Sequence, residues 1–425
     1  SKRLKIRNII KDVDYDGGYL QQGGKFIGSG TAEEKARLIL HRNKKPFVLV
    51  ESKVFSIKGD RISSNNAGIT IYMEEDSITH PGLSMKLFLG ERRELQLVRT
   101  GEGLSKSPYY NTYHELDMYF EELSWKLDEP IIKMGPLKNS SDRRAVFESS
   151  EYYKESRFDR LMGLGQTHPL VQIKDCTQKW DSRELSVKDV AGCMGVSKSN
   201  AKQFLLSLTV KGFVDFNLED DYCIVQDKLF QYIYAKSEQT DYDALTFRSE
   251  VSDDLNASIN LLEDIFELNL RGVRHVVLSD SHSVVVFPKD REMTVKKNRD
   301  FDFNGRVFAG KFEFYGSNYA FTYDDFQIDM PQVDSLKLNV DTDRRGARGE
   351  KLYRRVRTII EDLNGQLEID DPGNKSGLQD LPHYPIFKSE DQSYVFYDKF
   401  EVEKGVYNRD NFYVQLEPFT FDSVD

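Results

Sequence analysis

Hydrophobic and polar positions alternate in short runs over residues 1 to about 135. Phe47-Val48-Leu49-Val50, Gly68-Ile69-Thr70-Ile71-Tyr72, Met85-Lys86-Leu87-Phe88-Leu89 and Glu94-Leu95-Gln96-Leu97-Val98 are such runs. Turn-forming clusters bound them, among them Lys58-Gly59-Asp60, Asn65-Asn66-Ala67-Gly68 and Pro81-Gly82. A period of two between turn signals predicts strands whose alternate side chains face a core. Residues 1–136 are therefore read as a β-rich domain, a sandwich or an elongated stack of sheet.

Residues 137–164 are polar and read as a linker with room for one short helix. From 165 to 272 the period becomes helical. Leu255, Ile259, Leu262, Ile265 or Phe266, and Leu270 recur at helical spacing and end at Arg271-Gly272. From 273 to 425 the strand pattern returns with Val276-Val277-Leu278 and Ser283-Val284-Val285-Val286-Phe287. Between Phe301 and Phe326 ten of 26 residues are aromatic, and many alternate with polar ones, which points to a core face. Asn304-Gly305 predicts a hairpin turn. One helix is expected at 349–363, with Leu352, Val356, Ile359 or Ile360, and Leu363 on one face and Asn364-Gly365 as its stop. The expected fold class is α+β, with two β-rich parts flanking a helical middle domain.

Within that middle, Val187 to Leu206 carries the most specific pattern. Counting Val187 as the first position, small Ala191 sits fifth and Gly195 ninth, with Val190, Met194, Val196, Ala201 and Phe204 at the apolar positions. Ser186 and Ser197 are suited to cap two helices. Two strand-like pieces follow, around an acidic turn at Glu219-Asp220-Asp221. Residues 181–236 resemble a winged helix-turn-helix. In nucleic-acid-binding members of that family the second helix enters the major groove, and the matching positions here are Ser197, Lys198, Ser199, Asn200, Lys202 and Gln203. Charge argues against that use. From Asp181 to Lys236 six Lys and one Arg face eight acids, and the wing tip is acidic.

The whole chain has 425 residues and a formal charge of −11, which excludes a generally basic, nucleic-acid-coating surface. Its 12% aromatic content excludes a disordered chain. No run approaches the roughly 20 apolar residues of a membrane helix, so no transmembrane helix is expected. Cys176, Cys193 and Cys223 are too few for a disulfide framework and lack zinc-ligand spacing. One patch departs from the acidic average. Arg344, Arg345, Arg348, Lys351, Arg354, Arg355 and Arg357 face a single acid, Glu350, and are read as a candidate site for an anion or a partner.

No phosphate-binding glycine loop, nucleophile elbow or zinc-protease motif is present. His80 and His168 precede prolines, and His275 and His282 lie seven apart around Asp280. Glu368 to Asn374 offers several oxygens beside a glycine but not the order of a calcium loop, and is read as a plain turn. No catalytic residue, metal or cofactor is expected.

A few strings act together: Asp-Ser-Ile-Thr-His-Pro-Gly-Leu at 76–83, Lys-Ser-Pro-Tyr-Tyr at 106–110, Phe-Asn-Gly-Arg-Val-Phe-Ala-Gly-Lys-Phe at 303–312 and Tyr-Val-Phe-Tyr-Asp-Lys at 394–399. With the strand texture around them they resemble the very long, β-rich exported proteins of Gram-negative envelopes. The resemblance implies a periplasmic or cell-surface setting and no particular activity. Three unpaired cysteines, as the sequence is read, fit that setting poorly. The sequence opens at Ser1 and closes after a strand-like run, so the chain is read as a piece of a longer protein. The leading expectation is a non-enzymatic structural or interaction scaffold with a protein partner. The alternatives are a DNA-binding transcriptional regulator, which would be cytoplasmic, and a carbohydrate-binding or carbohydrate-active protein.

Overall fold

The computed structural model describes residues 3–423, apart from 24, 32–33, 102, 163–166, 253–254, 263–264, 346–350 and 397–405; the side chains of 22, 25, 340–345 and 351–358 are also outside the description. The chain forms two compact units. The first comprises Ser1–Thr240 and Ser249–Asn269, the second Asp241–Arg248 and Leu270–Asp425.

Antiparallel ladders build the first unit. The Ala36–Arg42 and Lys45–Ser52 strands pair, Lys45–Ser52 pairs with Arg61–Met73, and Arg61–Met73 pairs with Asp76–Phe88. Asp76–Phe88 then carries both Glu94–Val98 and Tyr109–Asn111. The alternation read from the sequence sets the inward face. Leu38, Leu40, Val48, Val50, Ile71, Leu95 and Leu97 are all at most 1% exposed. Trp125 closes this core edge-to-face on Phe47 at 5.0 Å. Within 137–164, Arg144–Ser149 is not linker but a strand paired with Leu116–Tyr119, and a short helix α1 follows at Glu155–Asp159.

The second unit is a meander. Phe301–Ala309, Phe312–Thr322, Gln327–Arg345 and Lys351–Glu368 pair in succession, and Lys351–Glu368 carries Ile386–Ser389 on its other edge. Phe301, Phe314, Tyr319 and Phe321 are buried, so the aromatic alternation builds core, and Tyr319 offers no exposed sugar platform.

The α+β expectation is overturned. The described residues are mostly β, with about 50% strand against 15% helix in five helices, and among them no helical middle domain is evident. Helices α2 (Pro169–Trp180), α3 (Val187–Met194), α4 (Lys198–Thr209) and α5 (Asp227–Lys236) belong to the first unit. Two predicted helices are strands. Residues 255–270 hold the strands Ala257–Asn260 and Leu268–Leu270, and the turn between them exposes Leu262 and Ile265 and places Phe266 at φ 54°. The residues of 349–363 that are described lie in the Lys351–Glu368 strand. Asp362 adopts φ 57°, and Ile360 and Leu363, three apart, are both buried, a spacing that one face of a helix would also give.

The Asn304-Gly305 hairpin and the Asn364-Gly365 stop are corrected in the same way. Both pairs sit inside strands, where the register with the neighbouring strand shifts. A Cβ at Gly305 would lie 2.3 Å from the Phe287 carbonyl oxygen, and one at Gly365 2.2 Å from that of Lys388. Glycine is needed there for close approach of backbones rather than for a turn.

Candidate functional site: a polar cleft beside the helical segment

The helical segment is locally well specified. Ser186 caps α3 in a reciprocal box with Asp189, and Ser197 caps α4 by accepting from the Asn200 amide. His168 caps α2, its Nδ1 accepting from the Leu170 amide, and Pro169 takes the first helical position. Cys176 on α2 and Cys193 on α3 form a disulfide, so the expectation of three unpaired thiols is corrected; Cys223 is free and buried. A three-stranded sheet, Glu184–Ser186, Tyr222–Val225 and Val214–Asn217 in that spatial order, completes the segment.

Two buried polar anchors hold this segment to the strands of the first unit. In the first, Asp215 accepts from the Ser107 hydroxyl at 2.6 Å, the Tyr110 hydroxyl at 2.8 Å and the Gln226 amide at 2.8 Å. Burial pushes its carboxyl up to about 6, although the Ser107 and Tyr110 bonds oppose the rise. In the second, Lys228 of α5 lies 2.6 Å from Asp117 and 2.7 Å from Glu148, and Arg157 grips Glu148 with two bonds of 2.8 Å. Burial would lower the Lys228 ammonium, but Asp117 and Glu148 drive it well above its ordinary value. Burial would raise Glu148, but the charges of Lys228 and Arg157 hold it at about 2. A third contact, Lys53 to Asp220 at 2.7 Å, is at the surface and contributes little.

Beside the anchors opens a cleft of about 900 Å³. One wall comes from the Lys45–Ser52, Arg61–Met73 and Asp76–Phe88 strands through Ser52, Ser64, Asn66 and His80. The other comes from Asn217, Tyr222, Gln226 and Gln231 of the helical segment. His80 is fixed by its surroundings. Its Nε2 faces the Ser107 carbonyl oxygen at 3.0 Å, its Nδ1 accepts from the Gly82 amide at 3.1 Å, and burial holds it well below its ordinary value. An imidazole with both nitrogens committed is not a general base.

The sequence-derived candidates lie elsewhere. Ser197, Lys198, Ser199, Asn200 and Gln203 are exposed at the start of α4, and Lys202 is paired with Asp221 at 2.5 Å. Of the basic cluster, Arg344 and Arg345 end one strand of a hairpin and Lys351, Arg354, Arg355 and Arg357 lie on the other; Arg348 and all seven side chains lie outside the described residues. His282 faces Asp370 at 2.9 Å rather than His275. Asp370 and Asp371 accept from Asn374 and Gly373 in a closed turn. Among the described residues no group of three His, Cys, Asp or Glu side chains is placed to hold a metal ion. No described helix is long and apolar enough to cross a membrane.

Sequence reading missed Asp117, Glu148, Asp215 and Lys228. One signal was available. Lys228 shares the buried face of α5 with Leu229, Tyr232 and Ala235, a cation where the helical period asks for an apolar residue. No protein-family model, curated protein or solved structure matches the chain.

Proposed function

We propose that the chain is a non-enzymatic interaction scaffold of a bacterial envelope, in which the segment that resembles a winged helix is a structural wall and not a reader of nucleic acid. The observation that carries this reading is the inward commitment of its charges. Lys228 and Asp215, the buried ionic groups of the segment, bind Asp117, Glu148 and Tyr110 on strands and Ser107 in the loop before Tyr109–Asn111. Lys202, one of two lysines on the outer part of α4, is neutralised by Asp221. A helix so arranged offers little phosphate-binding charge. Two of the acids that line the cleft are engaged as well, Asp117 by Lys228 and Asp215 by three neutral donors. The Cys176–Cys193 disulfide supports an oxidising compartment, as the resemblance to exported envelope proteins implies.

A mobility-shift titration with random-sequence duplex DNA at moderate salt tests the reading. No shift is expected. A salt-sensitive shift abolished by Lys198→Glu with Lys202→Glu overturns it in favour of a DNA-binding regulator. The compartment is tested by alkylating the protein in intact cells before denaturation. One thiol should become reactive on unfolding without reductant and three with it; three reactive thiols without reductant argue against the envelope.

A further inference from the structure

We propose that the cleft takes a neutral, polyhydroxylated ligand, a short glycan, held between the Arg61–Met73 strand and the Tyr222–Gln231 segment. This rests on the reading of the helical segment as a wall and names what the wall serves. At about 900 Å³ the cleft lies near the top of the roughly 300–1,000 Å³ range of small-ligand sites, room for more than one sugar ring.

The lining chemistry selects the ligand class. Hydroxyl and amide side chains dominate it, with Asn65, Thr70, Thr112, Tyr222 and Gln231 all half-buried or exposed. Each such group buried without a partner costs about 1–3 kcal/mol. An apolar ligand would leave them unpaired. A compact cation or anion would satisfy only acceptors or only donors. A sugar hydroxyl is donor and acceptor on one oxygen, which fits a wall mixed in both.

Charge does not overrule this. Several lining carboxylates already have cations: Glu51 has Arg37 at 2.8 Å, Asp117 has Lys228 and Asp227 has Arg183 at 2.7 Å. Two of the three lining lysines are paired, Lys53 with Asp220 and Lys228 with Asp117 and Glu148. The floor is also fixed before any ligand arrives. The Ser52 and Ser64 hydroxyls lie 2.8 Å apart, and Ser52 donates to the Asn66 carbonyl oxygen at 2.9 Å. A floor bonded in advance spends less ordering on binding.

Calorimetric titration of the intact chain tests the proposal. The probes are neutral tetrasaccharides of glucose, galactose, mannose and N-acetylglucosamine, with tetralysine and a sulfated tetrasaccharide as charged controls. At least one neutral probe should bind with Kd below about 1 mM, and at least tenfold more tightly than either control. Asn65→Ala with Gln231→Ala, one change on each wall, should weaken it at least tenfold while leaving the thermal midpoint unchanged. Absence of binding by every neutral probe, tighter binding of tetralysine or the sulfated probe, or unchanged affinity in the double variant would each overturn the proposal. Hydrolysis of a bound tetrasaccharide would uphold this ligand and sink the non-enzymatic reading. A DNA shift would sink the scaffold reading without touching the cleft.

Discussion

Lys228 shows how a single residue can hold two segments together. Its ammonium is 5% exposed and lies against two carboxylates that are 111 and 80 residues away in the chain. Removing one partner of a buried ion network costs about 3–5 kcal/mol, because the charges left behind lose their compensation. Lys228→Met should lower the urea unfolding free energy by that order. Two buried carboxylates make opposite pH signatures. Asp215, raised to about 6 from 3.8, binds a proton in the folded chain that the unfolded chain has already lost. Its contribution is therefore greatest below pH 4 and falls by about 3 kcal/mol as pH rises to above 6. Glu148, lowered to about 2 from 4.5, stabilises above pH 4.5 and loses that stabilisation as pH falls through 2. Urea midpoints from pH 2 to 8 should therefore flatten between 4 and 6 in Asp215→Asn, and at the acid end in Glu148→Gln. An unchanged profile in either variant would contradict the assignment. The sequence could mark Lys228 as anomalous, but it carried no sign of Asp117 or Glu148 as partners, because pairing over such separations is created by the fold.

At the scale of elements, local chemistry succeeded where caps decide and failed where packing does. Ser186 and Ser197 start α3 and α4 because a side-chain oxygen satisfies amides that the helix itself leaves open. The 349–363 segment failed because a strand in which Asp362 adopts φ 57° buries Ile360 and Leu363, three residues apart. Its Val356, Thr358, Ile359 and Ile360 are β-branched, a strand preference that the stripe concealed. The Asn-Gly pairs failed because the same glycine serves a turn or a close approach of strands, here with φ 141° at Gly305 and 158° at Gly365, and only the neighbouring strand distinguishes the two. Gly305→Ala should cost about 2–4 kcal/mol, since its Cβ meets the Phe287 carbonyl oxygen. Gly59→Ala, with nothing within 4 Å of the added atom, should stay within about 0.5 kcal/mol. Equal thermal midpoints for the two variants would remove the bulge account.

Across the whole molecule the chain enters the second unit, leaves it and returns. Residues 241–248 belong to that unit although 249–269 do not. The short segment is bound in by several contacts. Asp243 accepts from the Tyr323 hydroxyl at 2.8 Å, Asp241 accepts from the amides of Lys375 and Ser376, and Phe247 packs edge-to-face on Phe301 at 5.6 Å. A fragment 241–425 should therefore melt several degrees above a fragment 270–425 in differential scanning calorimetry; equal melting would show that the segment is dispensable. What the sequence determined by itself was whatever depends on near neighbours: the strand periodicity of most of both β-rich parts, the inward face of strands such as Glu94–Val98, and the helix caps. Tertiary structure decided the rest: which glycines bulge, that the helices join the first unit, that Cys176 meets Cys193, and where the cleft opens. Periodicity and capping are set within a few residues of chain. Bulges, a disulfide and a buried ion network each need a partner that only the packed fold brings within reach.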